Sequence, residues 1–168
     1  MTKMGNFGPP RVLILIDGED LDGAWNNVLQ MLSKKGLKTS LHCGSNAYKF
    51  GQAPDLGREP LFVVAHGRFA VGIACRAKIT QAIVMVECIP HDDRAMPKHP
   101  TLIVCGRQST NISHKHAVAG LERLAFGRLV ELEECGSRPQ NEQPEALSDA
   151  ILWFTRDTLT DESAHESQ

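Results

Sequence analysis

The chain has 168 residues and a formal net charge of −2 at pH 7, with 42% hydrophobic and 23% charged residues. This length and composition predict one globular domain with a buried core. The slightly acidic balance gives no electrostatic indication of nucleic-acid or membrane binding, and the longest apolar runs are too short to span a bilayer.

The first part of the chain predicts a strand, a helix and a second strand. Residues 11–17, RVLILID, form a continuous apolar run typical of a buried parallel strand. Residues 18–36 place apolar side chains at helical spacing, with Asp20 or Asp22 available to cap the helix. Residues 37–43 predict a short strand, so this opening is a βαβ unit whose two strands run parallel.

Two apolar runs in the middle of the chain each end in a reactive side chain followed by glycine. Residues 61–67, LFVVAHG, and residues 101–106, TLIVCG, both predict buried strands. Between them, residues 68–79 fit a hairpin or a loop, and residues 80–89 favour a helix over an additional strand.

The last part of the chain alternates helix, strand and helix. Residues 113–127 carry a helical apolar stripe that begins at a serine cap. Residues 128–134 predict a strand, and residues 144–157 predict a helix that opens on a proline.

These elements sum to one α/β domain over residues 11–158, with a mostly parallel central sheet between two layers of helices. Residues 1–10 are expected to be a flexible segment, and residues 159–168 a disordered acidic tail. Sites in such folds gather beyond the carboxyl ends of the strands, so we expect His66 and Cys105 to lie side by side on adjacent strands.

His66 and Cys105 form a candidate catalytic dyad. A cysteine nucleophile reacts as its thiolate, and a nearby imidazole can accept the thiol proton and later protonate the leaving group. The backbone N–H groups at Gly67 and at Cys105–Gly106 form the candidate oxyanion site. Three further residues are candidates for contact with the substrate: Arg68, Arg107 and Asp17.

The order of these elements resembles the caspase-like (clan CD) cysteine peptidases, nearest to the self-cleaving protease domains of large bacterial toxins and the CHAT-type proteases. The segment LDGAWNNVLQMLSKKGLKTSL and the strand ends AHGR and VCGR support this resemblance, which covers roughly residues 11–135. It implies a three-layer caspase-like sandwich, a cysteine endopeptidase activity, His66 as general base and Cys105 as nucleophile. The implied substrate is a polypeptide, and no cofactor is implied.

Two departures from that family leave an inactive caspase-like interaction module as the alternative. Caspases have Gln-Ala-Cys-Arg-Gly around the nucleophile, whereas this chain has IVCGRQS. The toxin domains bind inositol hexakisphosphate through a basic cluster, and the sequence has no dense run of Lys and Arg to match it.

A third interpretation is a metal-dependent ribonuclease, since LILIDGEDLD resembles the opening of NYN/PIN-type nucleases. Carboxylates at the end of the first strand would suit Mg²⁺. The acidic residues concerned are Asp17, Glu19, Asp20 and Asp22. The acidic balance disfavours nucleic acid as a partner, so the nuclease ranks below both caspase-like interpretations.

No metal site is expected elsewhere. The chain contains five cysteines without a CxxC pair, which argues against a disulfide framework or a structural zinc site. His114 and His116 point to different sides of a helix start, and residues 91–94, HDDR, are expected to be exposed loop charges. The first ten residues lack the apolar segment of a signal peptide, so we expect a cytoplasmic protein or an effector exported without one.

Overall fold

The computed structural model describes residues 8–44, 47–50, 52–78 and 80–166, and within them six strands form one sheet. The strands are β1 (Arg11–Ile16), β2 (Lys38–Cys43), β3 (Leu61–His66), β4 (Thr80–Val86), β5 (Thr101–Gly106) and β6 (Gly127–Leu132). Their order across the sheet is β2-β1-β3-β4-β5-β6, and every neighbouring pair is parallel. The predicted α/β class and parallel sheet are therefore confirmed.

Helices cover both faces of the sheet. They are α1 (Ala24–Lys34), α2 (Arg68–Arg76), α3 (His114–Glu122), α4 (Pro139–Glu142) and α5 (Pro144–Glu166), with 3₁₀ turns at Ala47–Phe50 and Asp93–Ala95. Helices α1 and α5 pack on one side, which we call the α1 face. Helices α2 and α3 pack on the other side, the α2 face.

The core consists of one apolar layer on each face because successive strand residues point to opposite sides. On the α1 face, Trp25 of α1 and Ile151 of α5 belong to the same buried cluster as Val64 of β3. On the α2 face, Val71 of α2 belongs to the cluster of the neighbouring strand residue, Val63. Continuous apolar runs such as β3 are thus explained by burial on both sides.

The expectation of a helix at residues 80–89 is wrong, because residues 80–86 form β4. This strand is buried on both faces in the middle of the sheet, which suits its β-branched composition. Residues 68–79, expected to be a hairpin or a loop, instead contain α2, which begins directly after β3.

The C-terminal part of the chain also differs from expectation. Helix α5 continues through Glu166, beyond residue 158, where the sequence analysis ends the domain. Arg128 of β6 holds the end of this helix through ion pairs with Asp157 at 2.6 Å and Asp161 at 3.8 Å. Most of the expected flexible segment at residues 1–10 lies outside the described residues. No described helix is long and apolar enough to cross a membrane.

Candidate functional site

A sharp strand-to-helix turn stands at the carboxyl edge of the sheet, where β3 ends and α2 begins. Gly67 is the hinge of this turn, with φ 106° and ψ 156°. Such positive φ values strain residues that carry a Cβ, so glycine suits the position. We call residues 65–69, the end of β3 and the start of α2, the elbow.

The carboxylate of Asp17, at the end of β1, occupies the elbow. Asp17 Oδ1 accepts a hydrogen bond from the N–H of Ala70 at 2.6 Å, and Oδ2 accepts one from Phe69 at 3.0 Å. The backbone N–H of Asp17 donates to the carbonyl of His66 at 3.1 Å. Asp17 therefore satisfies two of the free N–H groups at the start of α2 and places a negative charge at the positive end of this helix.

No space remains for a side chain at Gly67. A Cβ built on Gly67 would lie 2.5 Å from Cγ of Asp17 and 2.6 Å from its Oδ2. The positive φ and the Asp17 carboxylate thus exclude a side chain at this position for two independent reasons.

The structure does not bring His66 and Cys105 together. Strand β4 lies between their strands, so their backbones are separated by two strand spacings, about 9–10 Å. The two side chains also point to opposite faces. The His66 ring lies 5.3 Å from the ring of Trp25 on the α1 face, whereas Cys105 packs with Ala117 on the α2 face. The predicted dyad is therefore wrong.

The pKa shifts of the two side chains also argue against a catalytic dyad. Burial raises the pKa of the Cys105 thiol to about 12, and nearby carboxylates, Glu87 first, add to this effect. Burial lowers the pKa of His66, although the charge of Asp17 acts in the opposite direction. Cys105 is therefore a neutral thiol at physiological pH and packs as a small apolar residue.

The backbone at Gly106 is engaged in structural contacts. Its N–H donates to Oε1 of Glu87 at 2.6 Å, and a Cβ at this position would lie 2.0 Å from the carbonyl oxygen of Gly136. Arg107 forms an exposed ion pair with Glu133 at 2.5 Å, whereas Arg68 is exposed in the elbow itself. Gly67, Arg68 and Asp17 thus lie together at the elbow, whereas Gly106 and Arg107 lie at the end of β5.

A polar cluster that the sequence analysis missed links the ends of β4, β5 and β6. Glu87 is only 6% exposed, has φ 54°, and accepts a hydrogen bond from the Ser109 hydroxyl at 2.5 Å. Ser109 Oγ lies 3.3 Å from Oγ of Ser137, which accepts a hydrogen bond from the N–H of Thr110 at 2.8 Å. Glu87 directly follows an apolar strand, and this position is the one sequence signal that could have identified it.

The buried carboxyl of Glu87 has a shifted acidity. Desolvation raises its pKa, while the hydrogen bonds from Ser109 and Gly106 act against that shift. Ser109 Oγ also accepts hydrogen bonds from the N–H groups of Asn111 and Ile112, both at 3.1 Å. Because this hydroxyl accepts from two amides and donates its proton to Glu87, it stabilises the conformation of the loop after β5.

The acidic residues near β1 cap helix α1 and do not form a metal site. Asp20 accepts hydrogen bonds from the N–H groups of Trp25 and Asn26, and Asp22 accepts one from Ala24. No group of three or more potential metal ligands occurs among the residues that the structure describes. The expectation of a magnesium-dependent nuclease is therefore not supported.

The histidine and acidic loop residues have local partners. His114 is at the start of α3, and its Nδ1 lies 2.8 Å from Oε2 of Glu131 in β6. In the HDDR loop, Asp92 caps a 3₁₀ turn and Asp93 forms an ion pair with Arg123 at 2.5 Å. These contacts fit the expectation of exposed structural charges.

The fold is similar to that of several solved structures. It matches Est1E from Butyrivibrio proteoclasticus with a TM-score of 0.70 and 12% identity, over 94% of this chain and 91% of that one. It matches Paleococcus ferrophilus monoacylglycerol lipase with a TM-score of 0.63 and 14% identity, over 88% of this chain and 96% of that one. It matches MGS-M2, an α/β hydrolase enzyme from a Medee basin deep-sea metagenome library, with a TM-score of 0.69 and 11% identity, over 89% of this chain and 90% of that one. No protein-family profile and no curated protein matches the sequence.

These similarities identify the fold as that of the α/β hydrolases. The resemblance to caspase-like peptidases is therefore wrong, and with it the cysteine endopeptidase, the inactive caspase-like module and the polypeptide substrate. The NYN/PIN-type nuclease is likewise overturned. The predicted order of helices and strands is compatible with several α/β folds. Because β4 was expected to be a helix, the strand order that distinguishes these folds could not be predicted.

The elbow now has a precedent in this fold. Active α/β hydrolases carry G-x-S-x-G at the turn between a central strand and the next helix, with serine as the nucleophile. In this chain the turn from the central strand β3 to helix α2 reads AHGRF, from Ala65 to Phe69, and Gly67 is the residue between the strand and the helix. The motif cannot be recognised in the sequence because its serine and both its glycines are replaced.

Proposed function

We propose that this chain is a binding protein built on an α/β-hydrolase fold and that it does not hydrolyse substrates through a serine nucleophile. The observation that carries the proposal is the pairing of Gly67 with Asp17. The position that would supply the nucleophile has no side chain, and the Asp17 carboxylate takes up the space in front of it. An acyl-enzyme requires a nucleophile at this turn, so the elbow offers none for that route.

The edge beyond the elbow also supports a non-catalytic role. The later members of a serine triad, an acid and then a histidine, follow the serine in chain order in this fold. The loops after β5 and β6 instead present Ser109 and Ser137, whose hydroxyl oxygens lie 3.3 Å apart. Neither hydroxyl is a general base, and the Glu87 carboxyl in this cluster accepts from the Ser109 hydroxyl and the Gly106 N–H and not from a histidine.

A second candidate is hydrolysis that uses Asp17. Its carboxylate lies at the elbow beside His66, and the fold neighbours named above include a lipase and an α/β hydrolase enzyme. Asp17 could act as a general base that removes a proton from a water molecule attacking an ester. The two Asp17 oxygens already accept hydrogen bonds from the N–H groups of Phe69 and Ala70, which occupies their lone pairs and weighs against this role.

The test combines covalent labelling with an ester assay. Purified protein is treated with a fluorophosphonate probe and analysed by peptide mass mapping, and p-nitrophenyl acetate and butyrate hydrolysis is measured alongside. We expect no labelled serine and the same hydrolysis rate for the wild type and the Asp17→Asn variant. Labelling of Ser109 or Ser137 would overturn the proposal. Ester turnover that Asp17→Asn abolishes would instead establish the second candidate.

A further inference from the structure

A cavity of about 440 Å³ opens at the amino edge of the sheet, opposite the elbow. The ends of β1 and β2 form its floor, and the loop that precedes β3 forms its wall. The lining residues used below are Arg11, Leu13, Lys38, Ser40, Arg58 and Glu59. Its volume falls within the range of small-molecule sites in proteins.

The floor is a part of the α2 face that no described helix covers. Strand β2 is at the edge of the sheet, and its residues Lys38, Ser40 and His42 are exposed. The alternate residues of β2 face α1, as the hydrogen bond from Thr39 Oγ1 to the carbonyl of Leu29 indicates. Lys38 and Ser40 therefore present their side chains to the open cavity.

Two cations meet in register on this floor. Arg11 of β1 is the direct neighbour of Lys38 of β2, so both side chains project from the same face. Like charges at neighbouring positions on one face of a sheet repel each other. Glu59 offsets part of this charge, since its carboxylate lies 3.6 Å from Nη1 of Arg11.

The remaining positive charge has no partner in the described part of the chain. Arg11 also donates to the carbonyl oxygens of Glu59 at 3.0 Å and Leu56 at 3.4 Å, which holds it against the wall. No ion pair or side-chain hydrogen bond involves Lys38 or Arg58 among the residues that the structure describes. The lining thus combines three cations with one carboxylate in a protein whose net charge is −2.

We propose that this cavity binds a small phosphate monoester. Lys38 and Arg58 pair with the phosphate group, and the Ser40 hydroxyl donates a hydrogen bond to one of its oxygens. Lysine and arginine are the side chains that bind phosphate most effectively in proteins. Leu13, which is partly exposed, provides an apolar wall for the organic part of the ligand. The site is separate from the elbow, so it does not depend on whether the elbow is catalytic.

The test titrates the protein with phenyl phosphate, inorganic phosphate and phenol by isothermal calorimetry and by amide NMR shifts. Lys38→Ala and Arg58→Ala remove the proposed contacts. Lys115→Ala serves as the matched control, because Lys115 is an exposed lysine at the start of α3. Phenol tests the apolar wall without a charge, and inorganic phosphate tests the charge alone.

The proposal expects phenyl phosphate to bind more tightly than inorganic phosphate, with phenol not binding. Amide shifts should localise to residues 38–40 and 57–59. Lys38→Ala and Arg58→Ala should each weaken binding about tenfold, and Lys115→Ala should leave it unchanged. Absence of phenyl phosphate binding, shifts elsewhere, or an equal loss in Lys115→Ala would overturn it. Binding of inorganic phosphate alone would reduce the cavity to a general anion site and would also overturn it.

Discussion

Asp17 and Gly67 compete for one space: a Cβ on Gly67 would lie 2.5 Å from Cγ of Asp17. The carboxylate is fixed there by the N–H groups of Phe69 and Ala70. In the active enzymes of this fold a serine side chain projects from the turn. The two residues must therefore be considered together, and their coupling can be measured.

A methyl group at position 67 should destabilise the protein. Gly67→Ala combines the strain of a positive φ with a collision against Asp17, so we expect a loss of about 2–4 kcal/mol in the free energy of unfolding. Gly18→Ala is the control, because nothing lies within 4 Å of a Cβ there, and it should change stability by less than about 0.5 kcal/mol. Urea unfolding measures both, and equal effects would contradict the steric argument.

The same pair should be non-additive. Asp17→Ala removes the carboxylate that a methyl group at Gly67 would strike, while the backbone strain remains. We therefore expect Gly67→Ala to cost about 1–2 kcal/mol less in the Asp17→Ala background than in the wild type. A double-mutant cycle from urea unfolding gives this coupling energy, and a value near zero would mean that the turn relaxes away from Asp17.

The charge of Asp17 should stabilise the start of α2. Asp17→Asn keeps the shape but replaces one acceptor oxygen by a donor NH₂ group, which cannot accept from the helix N–H groups. We expect a loss of about 1–2 kcal/mol in thermal or urea unfolding. Glu19→Gln, an exposed change on the same loop, should have little effect. Equal stability of the two variants would show that Asp17 does not cap α2.

Cys105 should resist alkylation. With a pKa of about 12, only about one thiol in ten thousand is ionised at pH 8, and the side chain is fully buried. Exposed Cys43 should react with iodoacetamide much faster in the native protein, and all five cysteines should react in urea. Peptide mass mapping of wild type and His66→Ala tests this. Rapid labelling of Cys105 that depends on His66 would contradict the geometry.

Glu87 should make stability depend on pH in an unusual direction for a carboxyl group. Burial raises its pKa above the ordinary value of about 4.3, so the folded protein binds this proton more tightly than the unfolded chain. The resulting stabilisation is fully present below about pH 4 and is lost as pH rises through the raised pKa. We therefore expect the wild type to lose stability relative to Glu87→Gln as pH increases.

Urea unfolding of wild type and Glu87→Gln at a series of pH values from about 4 to 8 measures this difference. Glu122→Gln, an exposed substitution on α3, should show a constant difference from the wild type over the same range. A stability advantage of the wild type over Glu87→Gln that grows with pH would mean that the hydrogen bonds from Ser109 and Gly106 outweigh burial.

Most of the elements could be predicted because local signals and burial agree. The run RVLILI, the apolar stripe around Trp25 and the proline that opens α5 each specify an element without reference to the rest of the chain. The error at β4 lay where burial overrides local preference. β4 is apolar on both faces, so its periodicity does not distinguish a strand from a buried helix.

The candidate site was less predictable because it depends on which strands are neighbours. The sequence placed His66 and Cys105 correctly at strand ends, but it did not reveal that β4 separates them or that they point to opposite faces. The elbow was hidden for a different reason. A serine-hydrolase motif is recognised by its serine and glycines, and AHGRF retains neither the serine nor those glycines.

The sequence by itself determined the α/β class, the parallel opening unit and the apolar layers, because these follow from hydrophobic periodicity over short windows. Only the tertiary structure decided which side chains meet. Asp17 and Gly67 are fifty positions apart in the sequence, so no local pattern indicates that they are in contact. Strand order and the alternation of faces bring the Asp17 carboxylate to the start of α2, where it fills the space in front of Gly67.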